Sequence, residues 1–173
     1  MSIEQAIEIR AALPPMVSLV ALVVNMPPAD IREVLKLVQP DLIQYHGDES
    51  SEFCTEIGHP YWKAVRVKRR DDVEDAVKAY GGARALLLDA WVDGIPGGTG
   101  AQIDSELMPD KVGRPWILAG GLNPFNVTDA LMHYHPAAVD VSSGVEKSPG
   151  IKDLNKIRAF VSAVKQWDEA QSL

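Results

Sequence analysis

Cysteine occurs once in this chain of 173 residues, and aromatic residues make up only 6% of it. A single cysteine excludes an intramolecular disulfide, so the fold must rest on a packed core. The sequence also lacks an apolar run of about 18 residues, which a membrane-spanning helix would need. Nor does it begin with the basic and then apolar segment of a secretion signal. We therefore expect a cytosolic protein.

Positive charge is scarce as well. The chain has 17 Lys and Arg against 24 Asp and Glu, a formal net charge of −7. Nucleic-acid binding needs a basic face, and so does attachment to an anionic membrane surface, so we expect neither partner. The hydrophobic fraction of 46% suits one domain with a sizeable core. Because a domain usually takes roughly 100 to 200 residues, we predict a single domain over residues 1–173.

Strand and helix signals alternate along the sequence. Helical spacing, caps and breakers predict helices over residues 2–13, 28–39, 48–57, 71–80 and 153–167, and one capped by Asn123 with Pro124 at its first position. Short apolar runs predict six strands, at 17–24, 42–45, 61–67, 86–88, 116–119 and 137–141. Because these strands are apolar throughout, both faces of the sheet must be covered. This pattern predicts a parallel sheet with helices outside.

Two turns rich in glycine and serine follow the last two predicted strands. Glycine lets the backbone approach an anion closely, and the helix predicted from Asn123 would add the positive end of its dipole. The last two βα loops of a (β/α)8 barrel bind phosphate in this way. We therefore expect a phosphorylated small molecule to be bound by Gly120, Gly121, Ser143 and Gly144, with Ser142 and Asp140 close by.

Two architectures fit a parallel sheet of six strands. A doubly wound sheet matches the strand count, but it binds phosphate through a glycine-rich turn after an early strand, and no such motif is present. A (β/α)8 barrel matches the late position of the phosphate turns. We favour the barrel, in an incomplete form, because the chain opens on a helix where the first strand of a barrel should lie.

Five motifs in order along the whole chain resemble those of phosphoribosylanthranilate isomerase, an enzyme of tryptophan biosynthesis. They are Gln44-Tyr45-His46-Gly47, Leu87-Leu88-Asp89, Gly97-Gly98-Thr99-Gly100, Ala119 to Val127, and Val139 to Glu146. The resemblance implies a (β/α)8 barrel whose first two strands and first helix are absent here. It also implies an Amadori rearrangement of N-(5'-phosphoribosyl)anthranilate to 1-(2-carboxyphenylamino)-1-deoxyribulose 5-phosphate, with no metal and no organic cofactor.

The resemblance gives Asp89 the role of general acid in this rearrangement. Its place at the end of a predicted strand agrees, because barrel chemistry sits at that end, although a carboxylate there often only caps a loop. Gln44 and His46 end another strand and are candidates to line the pocket, or else hydrogen-bonded structural residues. The long segment from Ala90 to Ile103, with four glycines, is predicted to be a lid that excludes water.

The general base of the family is a cysteine in a Lys-x-Cys-Gly motif, which this chain lacks, as it lacks the arginine that binds the anthranilate carboxylate. Cys54 is predicted to be a small buried hydrophobe instead. A barrel without two strands exposes edges, so we expect poor stability unless an N-terminal segment or a second copy complements the chain. Three functions stay open: the isomerase, an inactive fragment or non-catalytic phosphosugar binder, and another phosphosugar barrel.

Overall fold

The computed structural model describes residues 1–90 and 103–171. Its helices are α1 Ile3–Ala12, α2 Pro28–Leu37, α3 Ser51–Glu56, α4 Arg70–Ala79, α5 Val127–Tyr134 and α6 Leu154–Gln171. Its strands are β1 Val20–Val23, β2 Leu42–Tyr45, β3 Tyr61–Val67, β4 Ala85–Ala90, β5 Trp116–Leu118, β6 Ala138–Val139, β7 Glu146–Ser148 and β8 Ile151–Lys152. None of the described helices is long and apolar enough to cross a membrane.

Strands β1 to β6 form one sheet in which spatial order follows chain order. The pairs β1–β2, β2–β3 and β5–β6 are parallel. A doubly wound sheet reverses its strand order at a switch point, whereas a (β/α)8 barrel does not. The predicted barrel architecture is therefore confirmed, and residues 1–90 and 103–171 contain six of the eight strands of a full barrel.

Strand β4 shows why the buried strands are apolar throughout. All six of its residues are buried, and Leu86, Leu87 and Leu88 are 0% exposed. Side chains alternate between the two faces of a strand, so both faces of β4 are covered. Such a strand needs hydrophobic residues at every position, and this requirement explains the continuous apolar runs of the sequence.

Helix α1 has the predicted capping box. The Ser2 hydroxyl accepts from the Gln5 N–H at 3.3 Å, and the Gln5 side chain accepts from the Ser2 N–H at 3.0 Å. None of the residues of α1 is buried. Asp41 links the C-terminal end of α1 to the residue before β1. Its carboxylate accepts from Arg10 Nη1 at 2.8 Å and from the Leu19 N–H at 2.7 Å. One carboxylate therefore anchors the helix to the start of β1.

Two predicted helix starts are wrong. Helix α3 is capped by Ser50, which accepts from the Phe53 N–H at 3.2 Å, rather than by Asp48. Helix α5 begins at Val127 rather than next to Asn123. The Asn123 side chain does accept from the Phe125 N–H at 2.8 Å, so it closes a turn that precedes the helix. Asn and Pro are as common in such turns as at the start of a helix, so the two residues alone could not place the start of α5.

A short antiparallel hairpin, β7–β8, was not expected from the sequence. Strand β1 is shorter than the apolar run from Val17 to Val24 that predicted it. The chain divides into two compact units, one of residues 1–64 and 77–86 and the other of residues 65–76 and 87–173. The single domain stays a prediction.

Candidate active site

Asp89 lies near the carboxyl end of β4 and is 7% exposed. The residue before it, Leu88, accepts through its carbonyl from the Ala119 N–H at 2.9 Å. In the same way the Asp140 N–H donates to the carbonyl of Leu118 at 2.8 Å. These two bonds bring the ends of β4, β5 and β6 side by side in the second unit. Asp89, the predicted general acid, therefore lies at the same end of the sheet as Ala119 and Asp140, which precede the two predicted phosphate turns.

The first turn consists of two glycines in left-handed conformations. Gly120 has a φ of 86° and Gly121 a φ of 61°, values that side chains disfavour. The carbonyl of Gly121 accepts from Asn126 Nδ2 at 2.9 Å, and Asn126 Oδ1 accepts from the Asn123 N–H at 2.8 Å. The Asn126 side chain thus holds the backbone of the turn through two hydrogen bonds.

The second turn is a short 3-10 segment, Ser143–Val145. The carbonyl of Ser142 accepts from the Val145 N–H at 3.4 Å and from Lys152 Nζ at 2.9 Å. In a trans peptide the carbonyl and the following N–H point in opposite directions. By fixing the Ser142 carbonyl, Lys152 therefore also fixes the direction of the Ser143 N–H, one of the predicted phosphate donors.

The two turns touch at Gly144. A Cβ atom on Gly144 would overlap the carbonyl oxygen of Leu122, the residue that follows the first turn. Only glycine permits this close approach of two backbones. The structure thus brings together Gly120, Gly121, Ser143 and Gly144, and their phosphate-binding role stays a prediction.

Two lysines near the second turn are functional candidates that the sequence did not reveal. Lys152 Nζ donates to Glu146 Oε1 at 2.8 Å as well as to Ser142, and Lys156 Nζ donates to the Glu146 carbonyl at 2.7 Å. The hydrogen bonds from Lys152 and from the Gly150 N–H hold the pKa of Glu146 below its ordinary value. Lys152 meets Ser142 only because of the unpredicted hairpin, so a hairpin signal at Pro149-Gly150 was the one available clue.

Gln44 and His46 belong to the first unit, at the carboxyl end of β2. Gln44 is 6% exposed and His46 is half-buried. Gln44 Nε2 and His46 Nδ1 lie 2.9 Å apart, and the His46 N–H donates to the Val23 carbonyl at 2.9 Å. The two side chains therefore form a pair, which puts one imidazole nitrogen in a fixed direction.

Cys54 is buried in α3, where it is 1% exposed. Burial is the main reason that the pKa of its thiol is raised to about 11. A thiol in this state carries almost no thiolate at neutral pH, and the thiolate is the reactive form. The prediction that Cys54 is a small core residue is confirmed.

The predicted lid falls mostly on residues 91–102, which lie outside the described residues. Ile103, at its end, is 3% exposed and its carbonyl accepts from the Tyr134 hydroxyl at 2.6 Å. Within the ranges 1–90 and 103–171, no cluster of three or more His, Cys, Asp or Glu side chains is arranged to hold a metal ion.

A parallel sheet whose strand order follows the chain, with a buried aspartate beside two glycine turns, defines a protein of the (β/α)8-barrel class. The sequence model of the family described as N-(5'-phosphoribosyl)anthranilate (PRA) isomerase matches residues 1–163. The chain belongs to this family, and the resemblance seen in the sequence is confirmed.

Individual relatives agree with the family assignment. The chain is 51% identical over 161 residues to N-(5'-phosphoribosyl)anthranilate isomerase of Pseudomonas fluorescens (strain SBW25), which covers 93% of this chain and 77% of that protein. A crystal structure of monomers generated from the dimeric enzyme of Thermotoga maritima is 37% identical, with a TM-score of 0.82, and the match covers 96% of this chain and 80% of that one.

A further crystal structure contains a ligand. It is a phosphoribosylanthranilate isomerase in complex with reduced 1-(o-carboxyphenylamino)-1-deoxyribulose 5-phosphate, 36% identical to this chain with a TM-score of 0.78. The match covers 96% of this chain and 80% of that protein.

Proposed function

We propose that this chain provides the general acid and the phosphate site of an isomerase that converts N-(5'-phosphoribosyl)anthranilate to 1-(2-carboxyphenylamino)-1-deoxyribulose 5-phosphate. The reaction is that of the family to which the chain belongs. The observation that carries the proposal is the bond between Ala119 and Leu88, because it sets the buried Asp89 beside the turn that begins at Gly120. An acid and a phosphate anchor in this arrangement suit a phosphorylated sugar.

The rearrangement needs one acid and one base. The acid protonates the furanose ring oxygen while the bond from that oxygen to C1' breaks and the anilino nitrogen forms a Schiff base with C1'. The base then removes the C2' proton, and the resulting enolamine takes a proton at C1' and loses the proton of its C2' hydroxyl, which gives the ketone. We assign the first role to Asp89, because it lies near the carboxyl end of β4, where barrel enzymes place their reacting groups.

We assign the phosphate to the backbone N–H groups of Gly120, Gly121, Ser143 and Gly144, with Ser142 and Asp140 completing the second loop. The left-handed glycines and the close approach at Gly144 let both turns converge on one anion. Lys152 and Lys156 add positive charge behind the Ser143 turn. In the first unit, Gln44 and His46 are proposed to be substrate-binding residues, with the imidazole oriented by Gln44.

The general base is proposed to come from a complementing strand-helix-strand segment, since the thiol of Cys54 is buried in the core. Strand β1 is the first strand in the order of the sheet. Residues of α1, β1 and α2 line an apolar cavity of about 500 Å³. A segment that pairs with β1 would fill this cavity and cover the edge. We also propose the cytosol as the location, because a reducing compartment keeps a lone thiol such as Cys54 reduced.

The test is turnover of N-(5'-phosphoribosyl)anthranilate by the chain together with the N-terminal strand-helix-strand segment of the Pseudomonas fluorescens relative. We expect activity in this mixture, and a loss of at least about 100-fold in kcat on Asp89→Asn, since general acids typically contribute 10²- to 10⁴-fold. The matched control is Asp71→Asn, because Asp71 is exposed on α4. Binding of the reduced product without any turnover would favour a non-catalytic phosphosugar binder instead.

A further inference from the structure

The first unit contains a buried ion pair that the proposed reaction does not use. Lys63 Nζ lies 3.3 Å from Glu49 Oε2, and the two side chains are only 4% and 2% exposed. In residues 1–90 and 103–171, just four polar or charged residues are buried: Gln44, Glu49, Lys63 and Asp89. Two of these are site candidates, and the other two form this pair.

Both ends of the pair hold backbone groups of the loops that follow β1 and β2. Glu49 Oε1 accepts from the Asn25 N–H at 2.7 Å, and Oε2 accepts from the Gly47 N–H at 2.9 Å. Lys63 Nζ donates to the Gly47 carbonyl at 2.6 Å and to the Tyr45 carbonyl at 3.5 Å. The peptide groups on both sides of His46 are therefore fixed by one ion pair.

The surrounding contacts leave this loop little freedom. Asn25 adopts a φ of 50°, and its Oδ1 accepts from the Asp48 N–H at 2.8 Å. A Cβ atom on Gly47 would overlap Asn25, so the two loops are in direct contact. The Tyr80 hydroxyl donates to the Glu49 carbonyl at 2.8 Å, and Lys63 Nζ lies 5.5 Å from the centre of the Tyr80 ring.

Stability alone does not account for such a pair. Removing two charges from water is costly, and well-packed apolar residues of similar volume often stabilise a core equally or better. What apolar residues cannot do is accept from Asn25 and Gly47 and donate to Gly47 and Tyr45 at once. The pair is thus suited to fixing a backbone path rather than to filling space.

We propose that Glu49 and Lys63 are positioning residues that hold the loop after β2 so that the Gln44 and His46 side chains face the substrate. This inference rests on the proposed function, because it takes the phosphorylated substrate as the molecule that Gln44 and His46 meet. Neither member of the pair touches the substrate. Each acts through the peptide groups next to His46.

The test compares the 173-residue chain with the double variant Glu49→Gln/Lys63→Met. This variant leaves no unpaired charge in the core and nearly preserves side-chain volume. We expect amide hydrogen exchange at Asn25 and Gly47 to accelerate about tenfold or more, because the opening is local. Exchange at Val38, a buried residue of the same unit whose N–H donates to the Val34 carbonyl at 2.9 Å, should stay unchanged. Binding of reduced 1-(o-carboxyphenylamino)-1-deoxyribulose 5-phosphate should weaken about tenfold, whereas inorganic phosphate, which meets only the turns of the second unit, should bind as before.

The matched control is Arg32→Met/Glu56→Gln, which removes an exposed ion pair of the same unit. It should alter neither exchange nor binding. Equal acceleration at Asn25, Gly47 and Val38 in the Glu49→Gln/Lys63→Met variant would overturn the proposal, since it would mean a general loss of stability of the first unit. Unchanged exchange at Gly47, or unchanged affinity for the reduced product, would overturn it as well.

Failure of the proposed function gives a different result. In that case the unaltered chain binds neither the reduced product nor phosphate, and the substrate-facing role of Gln44 and His46 falls with it. The exchange comparison still decides whether the ion pair fixes the loop. Weakened binding of the reduced product in the single variant Glu49→Gln, with recovery in Glu49→Asp, would support positioning by the carboxylate itself.

Discussion

Gly144 is the residue at which the two proposed phosphate turns meet. Because its backbone approaches the Leu122 carbonyl so closely, Gly144→Ala forces the turns apart. We expect phosphate to bind at least about tenfold more weakly and the free energy of unfolding to fall by about 1 to 3 kcal/mol, the usual range for overpacking. Phosphate titration calorimetry and denaturant unfolding measure the two effects.

Gly113→Ala is the control for this prediction. A Cβ atom at Gly113 would have no heavy atom within 4 Å, and the residue is exposed. Its substitution should change neither phosphate binding nor unfolding. Equal effects of the two substitutions would show that the contact at Gly144 has no special part in the phosphate site.

The attachment of helix α1 to the start of β1 depends on one residue. The helix buries none of its side chains, so its attachment depends on Asp41, whose pKa is lowered by the hydrogen bonds from the Leu19 N–H and from Arg10. A lowered pKa in the folded state means that this stabilisation is complete above the ordinary value of 3.8. It is lost as the pH falls through the lower, folded-state pKa.

We therefore expect the α1 amides to be protected from exchange at neutral pH and to lose this protection below about pH 4. Protection here means the observed exchange rate relative to the intrinsic rate of an unfolded chain at the same pH. In Asp41→Asn they should be poorly protected at every pH. The measurement is amide exchange across α1 as a function of pH. Glu8→Gln, an exposed carboxylate of the same helix, is the control and should keep the pH dependence of the unaltered chain.

At the scale of the whole molecule, β1 has an open edge, because it pairs only with β2 among residues 1–90 and 103–171. Leu22, which lines the apolar cavity, is 56% exposed, and Val24 is 55% exposed. Unpaired strand edges with apolar side chains associate with other chains, and lysine on an edge suppresses this. We expect Leu22→Lys/Val24→Lys to reduce light scattering of the concentrated chain, with little change in unfolding free energy, and to abolish complementation by the strand-helix-strand segment.

Phe125→Lys serves as the control, since Phe125 is 93% exposed in the turn before α5. It should leave scattering and complementation as they are. A concentration-dependent dimer that excludes the added segment would instead identify a second copy of the chain as the partner of β1. Unchanged scattering in the double variant would mean that another surface drives association.

The sequence by itself determined the barrel and most of its strands. Strands β2 and β3 lie where predicted and β4 extends the predicted run, because a strand covered on both faces must be apolar throughout. Asp89 and the glycines of the turns could be selected as candidates for a related reason. They directly follow such strands, so their place at the edge of the sheet is fixed by local order along the chain.

Only the tertiary structure revealed the contacts that join distant parts of the chain. Lys63 meets Glu49 across 14 residues, and Lys152 meets Ser142 across 10, through a hairpin too short to leave a clear pattern. Asn123 illustrates the same limit, because a cap signal cannot tell a turn from a helix start. Periodicity and turn chemistry are local properties of a sequence, whereas the pairing of buried charges depends on which backbone groups the fold brings within reach.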